Sequence, residues 1–238
     1  MYLPKHFEQH DREQVVALMR ARPLATLITT TPDGPSADLI PLEFIADEGP
    51  HGTLRGHVAR ANPLWQRAGT TALAVFTGPE AYISPGWYAS KKEHGKVVPT
   101  WNYTMVQARG TLRAVDDAPW LHALVSRLTD HHEAAQPAPW HVSDAPDDYV
   151  QQMLRAIVGL EITLTSLVGK WKVSQNRSAA DREGAAQGLA DKHAAMSALA
   201  RSARICRPPP ISKPPSRSPP MMPRPGIRPW RRGFPSAM

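Results

Sequence analysis

Apolar and polar residues alternate along most of the chain, and a period of two predicts β-strands. Strand-like runs occupy 24–31, 36–45, 52–58, 71–78, 80–84, 99–115 and 158–170. The residues from Pro32 to Gly34 predict a hairpin with a three-residue loop between the first two runs. Because the runs are short and no strand–helix–strand repeat appears, the pattern favours an antiparallel barrel over a doubly wound sheet.

One run, VPTWNYTMVQARG (98–110), changes its apolar side. Trp101, Tyr103 and Met105 share one side of the strand, whereas from Val106 onward the apolar residues lie on the other. This change predicts a bulge, or a strand whose first half faces something other than the barrel core. The final run alternates without a break, and its apolar side comprises Val158, Leu160, Ile162, Leu164 and Val168.

A period near 3.6 residues, together with capping residues, predicts the helical segments. These are helices over 10–23, 116–134, 146–157 and 178–203, and a helical turn within 59–69. Gly184 and Gly188 weaken the last helix. The segment PGWYASKKEHGK (85–96) predicts a loop by its composition.

The charge of the chain is concentrated at its end. The 238 residues, 42% of them hydrophobic, suffice for one substantial core, and the net charge is +7. Residues 201–238 contain eight Arg, one Lys and no Asp or Glu, so they carry +9 and the first 200 residues carry 7 − 9 = −2. The body of the protein is not basic, so its charge gives no support to DNA as a partner, although DNA stays open as one.

The C-terminal segment has the composition of a disordered region. It contains eleven of the 25 prolines and the only cysteine, Cys206. Proline removes a backbone donor and fixes φ, so we expect a Pro/Arg-rich disordered tail over 204–238 and a folded domain over 1–203. The tail has the composition of a basic interaction arm, and equally that of a frameshifted gene end.

Several functional classes lack sequence support. A single cysteine provides neither a disulfide framework nor a thiolate metal cage, and DHHE (130–133) has no third ligand spaced to help, so we expect no metal. The polar start and the absence of an apolar run near the roughly 18 residues of a membrane span predict a cytoplasmic protein without a membrane partner. Dinucleotide, phosphate-loop, zinc-protease, esterase and helix-turn-helix motifs are missing. No catalytic residue can be assigned.

Three loops combine aromatic, amide and cationic residues. They are GHVARANPLW (56–65), YISPGWYASKK (82–92), which leads into PTWNY, and GKWKVSQNRS (169–178). A phosphate dianion needs several charge-assisted donors, and a planar heterocycle needs an aromatic slot with polar groups at its edge. The loops thus predict a flavin mononucleotide (FMN) site, while the alternative is that they close a barrel mouth or a dimer seam.

Five blocks give the chain a family resemblance. They are MYLPKHF (1–7), GHVARANP (56–63), AYISPGWY (81–88), VPTWNY (98–103) and KWKVSQNR (170–177). In these blocks the chain resembles the PaiB-like, FMN-binding negative transcriptional regulators. The resemblance implies a mainly β protein with flanking helices, an antiparallel split β-barrel of the FMN-binding type. It also implies a homodimer that holds FMN at the subunit interface.

The resemblance also places site residues by position. Around the cofactor pocket it places His57, Arg60, Asn62, Tyr82, Ser84, Trp87, Tyr88, Trp101, Asn102 and Tyr103. Near the cofactor's phosphate or open edge it places Lys170, Lys172, Ser174, Gln175 and Arg177. In particular, residues 101–103 would face the cofactor or the partner subunit, and the strand from Val106 onward would face the core.

Two functions of different classes follow from the resemblance. The first is a homodimeric, FMN-binding negative transcriptional regulator. The alternative is a flavin-dependent oxidoreductase related to pyridoxamine-phosphate oxidases that acts on a small molecule, for which the cofactor supplies the electron chemistry and no protein nucleophile is needed. A barrel that has lost the cofactor and serves as a binding module is the third interpretation.

Overall fold

The computed structural model describes residues 1–203, and the predicted tail over 204–238 lies outside these described residues. The strands are β1 (Glu8–Gln9), β2 (Leu24–Thr31), β3 (Gly34–Pro41), β4 (Glu43–Ile45), β5 (Thr53–Ala59), β6 (Thr71–Ile83), β7 (Thr100–Val115) and β8 (Ile157–Lys172). The helices are α1 (Arg12–Ala21), α2 (Ser90–His94), α3 (Ala118–Glu133), α4 (Asp147–Arg155), α5 (Ala179–Leu189) and α6 (Ala194–Ser202). Short 3₁₀ turns occupy Lys5–Phe7, Pro63–Arg67, Pro85–Trp87 and Val142–Asp144.

The strands form one antiparallel sheet that closes on itself. Its order is β3-β2-β6-β7-β8-β5-β4, with β1 added to β8. Only Leu42 separates β3 from β4, so one stretch of chain forms both edges of the sheet. Gly56 on β5 lies so close to this stretch that a Cβ there would be 2.7 Å from the Pro41 carbonyl oxygen. The predicted mainly β fold with flanking helices, arranged as an antiparallel barrel, is confirmed.

The barrel interior is filled by the inward positions of the long strands. Leu27, Phe76, Leu112 and Leu160 are fully buried there, and each such side chain contributes about 1.5–3 kcal/mol by leaving water. Helix α1 covers one end of the barrel, where Leu18 packs against the backbone at Gly78, and a Cβ at that glycine would lie 2.7 Å from the leucine Cδ1. Asp11 caps this helix by accepting from the amides of residues 13 and 14.

The apolar residues of β7 change sides because polar residues occupy two of its inward positions, and the strand itself keeps its regular alternation. Asn102, Thr104 and Val106 all lie on the buried side of the strand, whereas Trp101 and Tyr103 lie on the other. The strand β7 itself therefore has no bulge here, although its partner β6 has an irregularity between Thr77 and Glu80, opposite Tyr103 and Met105. Asn102 is buried on the inner side and does not share the outer face with Trp101 and Tyr103. Two polar residues simply occupy inward positions.

A bulge lies in β8, which the sequence pattern predicted to be regular. Arg109 of β7 is opposite Ser166 and Gly110 is opposite Leu164, so Thr165 is the extra residue. Because a bulge reverses the side-chain parity, Val168 lies opposite Gln107 on the outer face and not on the side of Leu164.

Four further boundaries differ from the sequence expectations. Thr31 pairs with Gly34, so the first hairpin has a two-residue loop. The runs 71–78 and 80–84 form one strand with an irregularity between Thr77 and Glu80. The expected loop over 85–96 contains a 3₁₀ turn and α2, and the expected last helix is split into α5 and α6.

Candidate functional site

The sequence-predicted site residues fall into separate groups at opposite ends of β8. His57 pairs with Gly159 near the start of this strand, whereas Lys172 ends it. The chain between Gly159 and Lys172 has a length of about 40 Å along the strand, at roughly 3.3 Å per residue, and these two residues pair with different strands, β5 and β7. Within one chain the structure therefore does not bring the GHVARANP residues to the KWKVSQNR residues.

The first group lines a cleft that we call the cradle, formed by residues 38–41, 57–59 and 62 with a volume of about 220 Å³. His57 enters it from β5 and Asp38 from β3. Asn62 joins these strands to the following 3₁₀ turn, because its side-chain oxygen accepts from the Leu64 amide (2.9 Å) while its Nδ2 donates to the Asp38 carboxylate (3.2 Å). The cradle thus combines a carboxylate, an amide and an imidazole.

His57 carries an unsatisfied ring nitrogen. Its Nδ1 is buried and has no hydrogen-bond partner among the described residues. Burial lowers the pKa of the imidazole, so the ring is neutral at pH 7. A buried polar atom without a partner is costly, and a bound ligand would satisfy it. This feature fits a heterocyclic cofactor with polar atoms at its edge.

Arg60 is engaged within the chain. Its guanidinium forms a bidentate pair with Asp116, with nitrogen–oxygen distances of 2.6 and 2.8 Å, and also donates to the carbonyls of Arg155 and Ile157. The hydrogen bond from Arg60 lowers the pKa of Asp116. The residue therefore ties the end of β5 to the segment between β7 and α3, to the end of α4 and to the start of β8, and its donors do not point into the cradle.

The second group forms an outer surface that we call the lysine face, defined by Tyr82, Trp101, Tyr103, Lys170 and Lys172. Tyr82 and Trp101 pack edge to face with centroids 6.0 Å apart, and they are 46% and 55% exposed. The ammonium groups of Lys170 and Lys172 lie 5.2 and 5.9 Å from the ring centroid of Tyr103. Cations and flat aromatic surfaces thus lie side by side.

A third set lies beneath this face as a buried polar cluster. The Nδ2 of Asn102 donates to the Ser174 hydroxyl at 2.9 Å, and Ser174 has a left-handed backbone with φ of 68°. The Arg177 guanidinium lies 4.8 Å from the ring centroid of Tyr88, whose buried hydroxyl has no hydrogen-bond partner among the described residues. Burial raises the pKa of Tyr88, and Arg177 opposes this shift.

Three predicted site residues shape the loops around the cluster. Ser84 caps the 3₁₀ turn by accepting from the Gly86 amide. Gln175 accepts from the Val173 amide at 2.8 Å and donates to the carbonyl of residue 171. Trp87 packs on α5, where a Cβ at Gly188 would lie 2.3 Å from its ring. Gly188, which lowers the helix propensity of this segment, therefore leaves the space on α5 that the Trp87 ring occupies.

Three residues of these regions escaped the sequence reasoning. Asp38 sits at an inward strand position, where a charged residue is unusual and signals a site. Arg67 donates to the buried Thr29 hydroxyl at 2.6 Å and forms no ion pair within residues 1–203. Asp181 accepts from the amide and the hydroxyl of Ser90; burial alone would raise its pKa, but these hydrogen bonds lower it.

Residues 1–203 contain neither a candidate metal-binding cluster nor a helix that could span a membrane. No three His, Cys, Asp or Glu side chains there are grouped so that they could hold a metal ion. No helix in the same range is long and apolar enough to cross a membrane.

Comparison with known proteins places the chain in a family. Residues 1–166 match the family described as "Putative FMN-binding domain". An uncharacterized protein of Aspergillus fumigatus is 37% identical over 58% of this chain, which spans 66% of that protein's length. The protease synthase and sporulation protein PAI 2 of Bacillus subtilis is 30% identical, and the match covers 76% of this chain and 85% of that protein.

The fold is similar to a solved flavin-binding structure. The FAD and heme binding protein of Mycobacterium smegmatis superposes with a TM-score of 0.53 at 18% identity, covering 69% of this chain and 73% of that one. At this identity the similarity concerns the fold, and it confirms the split-barrel expectation. Together with the family match, these findings show that the chain belongs to the PaiB-like family of FMN-binding split-barrel proteins, with FMN as its cofactor.

Proposed function

We propose that the protein is a negative transcriptional regulator of the PaiB type that acts as a homodimer and binds FMN between its subunits. The observation that carries the proposal is the separation of the cradle from the lysine face along β8. Each region has the chemistry of half a flavin site, and one chain holds them apart.

The size of the cradle supports a shared site. Ligand pockets usually have volumes of roughly 300–1,000 Å³, whereas the cradle has about 220 Å³. In a twofold dimer, one region of the first copy contacts a second region of the other copy, and the same contact occurs again with the two copies exchanged. Two copies related in this way would place each lysine face over the other copy's cradle and complete two equivalent sites.

Exposed apolar side chains support the same arrangement. Leu39, on the rim of the cradle, is 68% exposed, and the aromatic pair of the lysine face is about half exposed. Large apolar surfaces that face water in one chain are typical of interfaces. Covering both regions at once in a dimer would remove them from water.

The chain's own residues suggest how each region would act. The neutral His57 ring and the Asn62 amide would bind the edge of the cofactor in the cradle, and Arg67 would hold its phosphate. The aromatic pair of a second copy would cover the flavin ring and exclude water. When bound, FMN supplies electron and hydride transfer chemistry, while the protein binds and orients it.

The regulatory role is supported by the identity with the Bacillus subtilis PAI 2 protein, whose name associates it with protease synthesis and sporulation. Because residues 1–200 carry a charge of −2, the proposal does not include phosphate contacts between the body and DNA. The regulator would instead respond to its flavin or to a ligand near it.

Flavin retention by the full chain tests the binding half of the proposal. After addition of FMN and desalting, we expect the wild type and the control variant His122→Ala to keep the flavin absorbance bands, since His122 is exposed on α3. His57→Ala should lose most of the flavin. Retention by His57→Ala at the wild-type level would contradict the placement of the cofactor in the cradle.

Transcript levels test the regulatory half. In cells lacking the protein, we expect the wild type to restore repression of a set of genes and His57→Ala to fail. If no transcript changes and the loaded protein oxidises a nicotinamide donor instead, the regulatory proposal is wrong and the oxidoreductase alternative stands.

A further inference from the structure

Both lysines of the lysine face are bound only by neutral groups. The ammonium of Lys170 donates to the Tyr2 carbonyl at 3.0 Å. The ammonium of Lys172 donates to the Trp101 carbonyl at 2.8 Å and to the hydroxyl of Thr100. Within residues 1–203 neither lysine forms an ion pair with a carboxylate.

The two ammonium groups are also withdrawn from water. Lys170 is 8% exposed, and Lys172 is half-buried. Burial lowers the pKa of Lys172; nearby Tyr103 opposes this shift, and Lys170 and Arg177 add to it. Buried cations are stable when paired. Here two lysines lie beside one tyrosine ring without an ion pair, although Glu8 is opposite Lys170 in the register of β1 and β8.

In the proposed dimer the lysine face would cover the flavin ring, which is uncharged in oxidised FMN and so does not neutralise the two lysines. Arg67, at the end of the 3₁₀ turn that follows Asn62 of the cradle, likewise forms no ion pair within residues 1–203 and is available for a cofactor phosphate. The lysine pair lies at the other end of β8, on the outer face of the sheet. An anion in addition to FMN would neutralise it.

We propose that Lys170 and Lys172 form a binding site for a small oxyanion, a phosphate or a carboxylate, that is occupied together with FMN. An ammonium group has three donors, of which Lys170 uses one and Lys172 uses two within the chain. The remaining donors of both lysines would form charge-assisted hydrogen bonds to the oxyanion. The interpretation of this anion as the regulator's effector rests on the proposed function. The binding of the anion does not depend on it.

Calorimetric titration of the full chain tests this site, with inorganic phosphate and acetate as probes at constant ionic strength. We expect phosphate to bind more tightly than acetate, because a dianion can pair with both lysines. Lys170→Met and Lys172→Met should each weaken phosphate binding by about tenfold or more. Lys172→Arg should keep it, as should the control Lys192→Met, which removes an exposed lysine between α5 and α6.

The titration is made with and without saturating FMN. Equal phosphate affinity in the wild type and both methionine variants would overturn the proposal, and so would the absence of binding. Loss of phosphate binding on addition of FMN would also overturn it, since the lysines would then hold the cofactor's own phosphate. Lysine-dependent phosphate binding by a protein that retains no FMN would support this site and contradict the proposed function.

Discussion

The cradle and the lysine face differ in how their polar groups are satisfied. In the cradle, Asn62 and Asp38 are hydrogen-bonded to each other, and only the His57 ring nitrogen lacks a partner. On the lysine face, two cations have only neutral acceptors and two aromatic rings are exposed. The first region is a preformed slot whose charged group is the Asp38 carboxylate, and the second is an open, positively charged surface. Such regions are complementary to each other and to a ligand between them.

The largest expected effect comes from pushing apart the two edges of the sheet that meet beside the cradle. In Gly56→Ala the new Cβ would lie 2.7 Å from the Pro41 carbonyl oxygen and 2.8 Å from the Leu42 Cδ2. We expect a loss of about 3 kcal/mol in the free energy of unfolding, measured by urea titration, together with loss of FMN. Phosphate binding by the lysine face should persist in the folded fraction.

Gly69→Ala is the matched control, because its Cβ would meet no atom within 4 Å and only the backbone φ of 87° is unfavourable. It should cost about 1–2 kcal/mol. If Gly56→Ala costs no more than this control, the two edges of the sheet do not meet as closely as described.

A smaller effect is expected beneath the lysine face. Asn102→Leu leaves the buried Ser174 hydroxyl without its amide donor, which should cost about 2 kcal/mol in urea unfolding. FMN contacts in the cradle should be unaffected. The control Gln107→Leu, at a half-exposed outer position of the same strand, should stay within about 0.5 kcal/mol of the wild type; equal costs would refute the role of the buried amide.

The pH dependence of stability provides a third contrast. Burial lowers the pKa of His57 in the folded protein below the ordinary value of 6.5. Between the folded and the unfolded pKa, the unfolded chain therefore binds more protons than the folded one. The stabilisation is complete above pH 6.5 and is lost as the pH falls through the window below it. Compared with His57→Gln, the apo wild type should lose more stability over this window; parallel pH profiles would contradict a buried neutral imidazole.

The smallest expected effect concerns the uncompensated charge of Lys172. Because burial lowers its pKa, the charged form is disfavoured in the folded state at neutral pH. Lys172→Met should therefore change the unfolding free energy by no more than about 0.5 kcal/mol and in the stabilising direction. Thermal unfolding without added phosphate measures this, and a clear loss of stability would show that the hydrogen bonds of Lys172 to Trp101 and Thr100 outweigh the cost of burying its charge.

The sequence predicted the architecture because barrel strands and amphipathic helices have strong periodic patterns. The sequence did not predict features that depend on a neighbouring strand, because the pattern within one strand gives no information about its partner. The bulge at Thr165 is invisible in a run that alternates well on either side of it, and the polar inward positions at Asn102 and Thr104 imitate a change of parity.

The candidate site was predicted by residue type but not by location. The five sequence blocks contain residues of both the cradle and the lysine face. Nothing in a linear sequence shows, however, that His57 pairs near the start of β8 and that Lys172 lies at its end. Similarly, the ion pair of Arg60 with Asp116 joins positions 56 residues apart, so the residue resembles a ligand-binding arginine until the fold is known.

The most direct test of a shared flavin site uses mixed dimers of two defective variants. One copy carries His57→Ala, which damages the cradle, and the other carries Tyr82→Ala and Trp101→Ala, which damages the lysine face. In a dimer purified through a different tag on each copy, one site has both defects and the other has none. We predict about half of the wild-type FMN content in this dimer, although each variant alone retains little. A mixed dimer without FMN would show that each site lies within one chain, and the account would be wrong.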